Sequence, residues 1–193
     1  MNTAAHKYCA RYCEENIWHL AQEPAFAGAD CVVAVISNPE GACLFWDQRM
    51  CDGPDRPVWW DYHVILLVRR EGWLVHDLDT ALPLPVDAGT YLSRTFRMQE
   101  RMPAAIRPRF MLSDRGAYVE SFASDRSHMR DEDGGWASPP PDWPPINSEH
   151  GEGFPTFIER QLHAGAHIAL AEMHARFGGG ACGETLAISR GPL

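Results

Sequence analysis

Apolar and polar residues alternate most clearly over 58–68. Trp59, Asp61, His63, Ile65 and Leu67 fall on one face of an extended chain, and Trp60, Tyr62, Val64, Leu66 and Val68 on the other. Both faces are apolar over the second half, the mark of a central strand covered on two sides. Arg69-Arg70-Glu71-Gly72 reads as a hairpin turn with a glycine available for positive φ, and the chain returns antiparallel over 73–79. In such a hairpin, opposed residues point to the same face. A loop centred on Arg70 sets His63 against Asp77, and one centred on Glu71 sets it against Asp79. The alternation permits both.

Cys31-Val32-Val33-Ala34-Val35-Ile36-Ser37 is a second strand, stopped by the turn Asn38-Pro39-Glu40-Gly41. Residues 42–46 form a short strand expected to pair back on it. Ahead of both, Cys13, Ile17, Leu20 and Ala21 share one face of a helix over 13–21, with Glu14 and Glu15 in its first turn. A helix over 87–98 is capped by Asp87 and turns Tyr91, Leu92, Thr95 and Phe96 inward. A strand is expected around Phe110-Met111-Leu112 and another element over 117–122. The proline segment 138–145 is expected to pack on its own domain through Trp143. Residues 154–177 read as mostly helical with a break near Gly165, and 181–193 as a mobile tail. This pattern predicts an α+β fold in one domain over 1–180.

At 193 residues and 45% hydrophobic, the chain is able to bury one sizeable core. A net charge of -9 argues against nucleic-acid binding. No apolar run is long enough to span a membrane, and no signal-peptide core opens the chain. The six cysteines include no CxxC pair and read as reduced thiols in the cytoplasm.

Cys13, His63 and Asp77 make the strongest chemical set. A thiol nucleophile needs a base within hydrogen-bond reach, and the base needs a third group to fix its tautomer. A cysteine at a helix start is expected to have a lowered pKa, through the dipole and the free N–H groups there. Papain-like and transglutaminase-like cysteine hydrolases share this arrangement. Metal ligation is the competing reading, through Cys9 and Cys13 with His63 or His76, or through His163, His167 and His174. The second set lacks the glutamate of an H-E-x-x-H helix, because Ala164 stands there.

Five blocks go beyond spacing: Tyr12-Cys13-Glu14-Glu15-Asn16-Ile17-Trp18, Trp60-Asp61-Tyr62-His63-Val64, Asp77-Leu78-Asp79-Thr80 with Leu82-Pro83, Phe122-Ala123-Ser124-Asp125-Arg126-Ser127-His128-Met129, and Pro139-Pro140-Pro141. In order and content they resemble the protein N-terminal glutamine amidohydrolase family. The chain departs from it in a shorter hairpin after His63 and a glycine-rich tail. The resemblance implies an α-β-α sandwich around a mostly antiparallel sheet, and a triad of Cys13, His63 and Asp77. It also selects Asp77 over Asp79. The implied substrate is a protein or peptide with a free N-terminal glutamine, the product is glutamate plus ammonia, and no metal or organic cofactor is needed. No nucleic-acid or membrane partner is expected, and the enzyme is expected to act as a monomer. Glu14, Glu15, Asp61 and Asp125 are the candidates for reading the α-amine, and Trp60, Tyr62 and Phe122 for closing the pocket at a fixed depth. A related peptidase, an internal-glutamine deamidase or an inactive terminus-binding module is the alternative.

Overall fold

The computed structural model describes residues 6–147 and 153–179; the expected tail at 181–193 lies outside them. The backbone alternation of the strands decides the architecture. β1 (Cys31–Ser37) sends Val33 and Val35 to one side and Val32, Ala34 and Ile36 to the other. β4 (His63–Arg69) likewise divides Val64, Leu66 and Val68 from Ile65 and Leu67. Each strand therefore feeds two apolar cores, and each core needs its own cover.

On the first face the cover is α1 (Cys13–Ala21), α3 (Arg115–Ser121) and α4 (Phe154–His163), which contribute Ile17, Leu20, Tyr118, Phe154 and Phe157. On the second face it is α2 (Ala88–Thr95) and α5 (Leu170–Phe177), which contribute Tyr91, Leu92, Met173 and Phe177. Both layers have local causes. Asp87 caps α2 by accepting from the Thr90 N–H at 2.8 Å, as expected, and Asp114 caps α3 through the N–H groups of Gly116 and Ala117.

Between the helical layers lies a six-stranded sheet of order β6-β5-β4-β1-β7-β8, and every ladder in it is antiparallel. Its remaining strands are β5 (Trp73–His76), β6 (Val86–Asp87), β7 (Arg109–Asp114) and β8 (Ile168–Ala169). The fold is thus an α-β-α sandwich, as expected. Among the described residues, no helix is long and apolar enough to cross a membrane.

Three expectations need correction. The stretch 58–68 is two strands. β3 (Val58–Trp60) pairs with β2 (Cys43–Phe45) in a separate two-stranded sheet, and β4 begins only at His63. The break falls at Asp61, whose carboxylate accepts the Tyr62 N–H at 3.0 Å and so replaces a ladder bond with a local one. β2 does not fold back on β1. Asn38 holds the intervening turn instead, its Oδ1 accepting from Glu40 and Ala42. Finally, the segment after Gly165 (φ 65) contains the short strand β8 before α5 starts, so His163, His167 and His174 do not share one helix.

The hairpin after His63 joins β4 to β5. Arg69 faces Trp73 and Leu66 faces His76, which centres the loop on Glu71. The turn is closed by the Arg70 N–H on the Gly72 carbonyl at 2.8 Å, and Gly72 is not among the positive-φ glycines. That register, prolonged, would set Asp79 against His63. β5 ends at His76, however, and the chain turns, with the Thr80 N–H donating to the Asp77 carbonyl at 3.2 Å. Leaving the ladder is what brings Asp77 to the imidazole.

Candidate active site

Cys13 is the first residue of α1, just after Tyr12, whose hydroxyl donates to the Ser138 carbonyl at 3.1 Å. Asn16 reaches back to both backbone groups of Cys9 at 2.8 Å and straps the lead-in to the helix. Cys13 is buried at the edge of the first core and also lines a cavity of about 790 Å³. His63, the first residue of β4, lines the same cavity.

The imidazole is tightly held. Its Nε2 lies 2.8 Å from Asp77 Oδ1, and its ring packs against Trp60 and Phe45 with centroids 4.6 and 5.4 Å away. Asp77 Oδ1 also accepts the Asp79 N–H at 2.9 Å, and Oδ2 accepts the Tyr91 hydroxyl at 2.8 Å. Burial opposes charge on both members of the pair. The mutual attraction of His63 and Asp77 outweighs it, raising the imidazole pKa and lowering that of the carboxyl. With Nε2 committed to Asp77, Nδ1 is the nitrogen left for a proton transfer.

The thiol behaves differently from the expectation drawn from its helix position. Burial pushes the Cys13 pKa well up, and the carboxylates of Glu14 and Asp79 add to it; a contact with the Val64 N–H works the other way. The sulfhydryl hydrogen bond goes to Glu14 Oε2 at 3.6 Å. Desolvation and neighbouring negative charge therefore outweigh the helix start.

Four of the seven candidate substrate residues do not reach the cavity wall. Glu15 is fully buried and grips Arg126 through two bonds of 2.9 and 2.8 Å, while its Oε2 also accepts the Trp143 indole N–H at 2.6 Å. It is a clamp that ties the proline segment to α1 and does not line the cavity. Asp125 is exposed and accepts the Ser127 N–H at 2.9 Å. Phe122 is core, stacked on Tyr118 with centroids 5.2 Å apart. Glu14 is fully buried next to Cys13, with Oε1 3.7 Å from His128 Nε2 and without a hydrogen-bond partner. Burial, with Glu15 adding, pushes its pKa up to about 7. Trp60, Asp61 and Tyr62 do line the cavity. Sequence reasoning gave no role to His128, which also lines it and lies 3.1 Å from the Tyr62 hydroxyl, nor to Tyr8, which donates to Asp79 Oδ1 at 2.6 Å. No periodic signal marks either residue, because Tyr8 sits in irregular chain ahead of α1 and His128 in a single 3-10 turn, Ser127–Met129.

The metal readings fare unevenly. Among the described residues, Cys9 and His76 do not converge with Cys13, and His163, His167 and His174 do not cluster. Among the described residues, the one group close enough to share an ion is His63, Asp77 and Asp79, with ligand atoms within 4.8 Å of one another. In that group Asp77 already accepts three N–H or O–H donors and Asp79 one, so the atoms fit a hydrogen-bonded base better than a coordination shell.

A cysteine and an acid-paired histidine on the wall of one cavity make a setting for acyl transfer by a thiol. Comparison with known proteins points the same way. A model of the N-terminal glutamine amidase family matches residues 8–177. The chain is similar to the protein N-terminal glutamine amidohydrolase of Homo sapiens, 36% identical over 91% of this chain and 89% of that one. It is also similar to the proteins of that name from Bos taurus (39% identical, 73% and 70% covered) and Danio rerio (39%, 71% and 70%). The chain belongs to the N-terminal glutamine amidase family.

Proposed function

We propose that this protein hydrolyses the side-chain amide of an N-terminal glutamine in proteins or peptides, giving glutamate and ammonia through a Cys13 thioester. The observation that carries the reading is the buried His63–Asp77 pair at 2.8 Å, opening on the same cavity as Cys13. Because the surroundings keep the thiol protonated, Sγ gives its proton to His63 Nδ1 as it attacks the amide carbon. The imidazolium that forms is stabilised by Asp77. Collapse of the tetrahedral species passes that proton to the leaving ammonia. A water then attacks the thioester with His63 again as base. Backbone N–H groups at the start of α1 are offered as the oxyanion donors, each of a kind worth about 2.7–4 kcal/mol. No step calls for a metal or an organic cofactor. The described cysteines, Cys9, Cys13, Cys31, Cys43 and Cys51, are free thiols, which supports a reducing, cytoplasmic setting.

Trp60 and Tyr62 bound the cavity beside His63 and set how far a side chain reaches. One methylene is worth about 1–3 kcal/mol in such a pocket, so an asparagine-led peptide is expected to react about 10- to 200-fold more slowly than its glutamine twin. Mass spectrometry of matched peptides beginning with Gln, Asn or acetyl-Gln measures this. Conversion of the acetylated peptide at the rate of the free one would show an enzyme for internal glutamines instead.

A further inference from the structure

We infer that Asp79 is the residue that binds the α-ammonium group of the substrate, an assignment that rests on the deamidation reading above. Three acids line the cavity: Asp61, Asp79 and Glu159. Asp61 and Glu159 are exposed, whereas Asp79 is only 4% exposed. Its Oδ1 is oriented by the Tyr8 hydroxyl at 2.6 Å, and among the described residues no ion pair reaches its carboxylate. Of the basic groups that act on it, His63 is engaged with Asp77, and Arg49 is turned elsewhere, stacked over the Tyr8 ring and donating from Nε to the Thr80 carbonyl. A buried carboxylate without a cation is costly, and here it faces the space a ligand would fill.

The amine of a terminal glutamine is only a short chain away from the amide carbon that Cys13 attacks, so the amine must dock near the nucleophile and base. Asp79 lies there, sharing with His63 and Asp77 the 4.8 Å cluster. Burial raises the Asp79 pKa, and Asp77 adds to that, while His63, Tyr8 and Arg49 act in the other direction. Cys13 faces it as well and feels its charge. An arriving ammonium supplies the countercharge and a charge-assisted hydrogen bond. An acetylated or internal glutamine supplies neither and leaves the carboxylate unpaired, which is how a site of this kind rejects analogues.

The test uses Asp79→Asn, which keeps an acceptor for Tyr8 but removes the charge. Two probes are compared: a glutamine-led peptide and the same peptide with the α-amine replaced by hydrogen. In the wild type, kcat/KM for the amine-bearing peptide is expected to exceed that of the des-amino peptide by about 10- to 100-fold. In the variant that ratio is expected to fall towards one, mainly through KM. The wild-type KM is also expected to rise as the pH passes the amine pKa of about 7.7–8.0, and that rise is expected to vanish in the variant. Tyr8→Phe, which frees the carboxylate to turn, is expected to lower the same ratio by a smaller factor. A thermal melt reports that each variant is folded. An unchanged ratio in both variants overturns the assignment alone. Failure of the wild type to convert any glutamine-led peptide overturns the reaction and the assignment together.

Discussion

Cys13→Ala is expected to abolish measurable deamidation while the protein stays folded. In the proposed mechanism the thiol is the nucleophile, His63 moves its proton, and the rest of the site positions and polarises. In hydrolases with comparable triads, what survives nucleophile removal is about 1,000- to 10,000-fold over water, below detection in a turnover assay. Alanine suits the first turn of a helix, and the burial lost is a single sulfur at the edge of the first core. Ammonia release and a thermal melt, measured side by side, check both halves. A variant with wild-type turnover would remove the nucleophile from the mechanism.

Asp77→Asn is expected to cut kcat/KM by about 100- to 10,000-fold. Asp77 Oδ1 accepts from His63 Nε2 and Asp79 N–H, and Oδ2 from Tyr91. An asparagine that turns its amide towards His63 donates to Nε2 and drives the ring proton onto Nδ1, the nitrogen that must accept from the thiol. Turned the other way, it still removes the charge that stabilises the imidazolium. The pH profile follows from the direction of the shift. Asp77 raises the His63 pKa above its ordinary value of about 6.5, so activity falls on the acid side as Nδ1 is protonated and can no longer accept from the thiol. Without that charge the acid limb should move to lower pH. Asp79→Asn also touches the His63 pKa, but less, and should act mainly on KM. A Asp77→Asn profile superimposable on that of the wild type would contradict the pairing.

Much of this architecture is legible from residue pattern. β1, the N-cap Asp87 and the inward face of α1 follow from alternation, capping chemistry and helical spacing, because each is a local property. Partner choice is less local. Nothing in the alternation of 42–46 says whether it pairs with β1 or with β3, and the break at Asp61 depends on one side-chain bond. The acid that pairs with His63 stays open between Asp77 and Asp79 on the hairpin alone, since the decisive event is where β5 stops. Only the family resemblance chose between them. Electrostatics is hardest to read. A helix start argues for a low thiol pKa, but the cost of burying Cys13 next to Glu14 is a tertiary fact. The same holds for Glu15, whose place in the first turn hides its role as the clamp on Arg126 and Trp143.

The thioester is best tested by interception. Hydroxylamine attacks a thioester far more readily than an amide, so turnover of a glutamine-led peptide in its presence should divide between glutamate and the γ-hydroxamate. Mass spectrometry of the products reads both. The expected result is hydroxamate that grows with hydroxylamine concentration in the wild type and is absent with Cys13→Ala. Glutamate as the sole wild-type product, or hydroxamate formed equally well without the sulfur, would contradict covalent catalysis by Cys13.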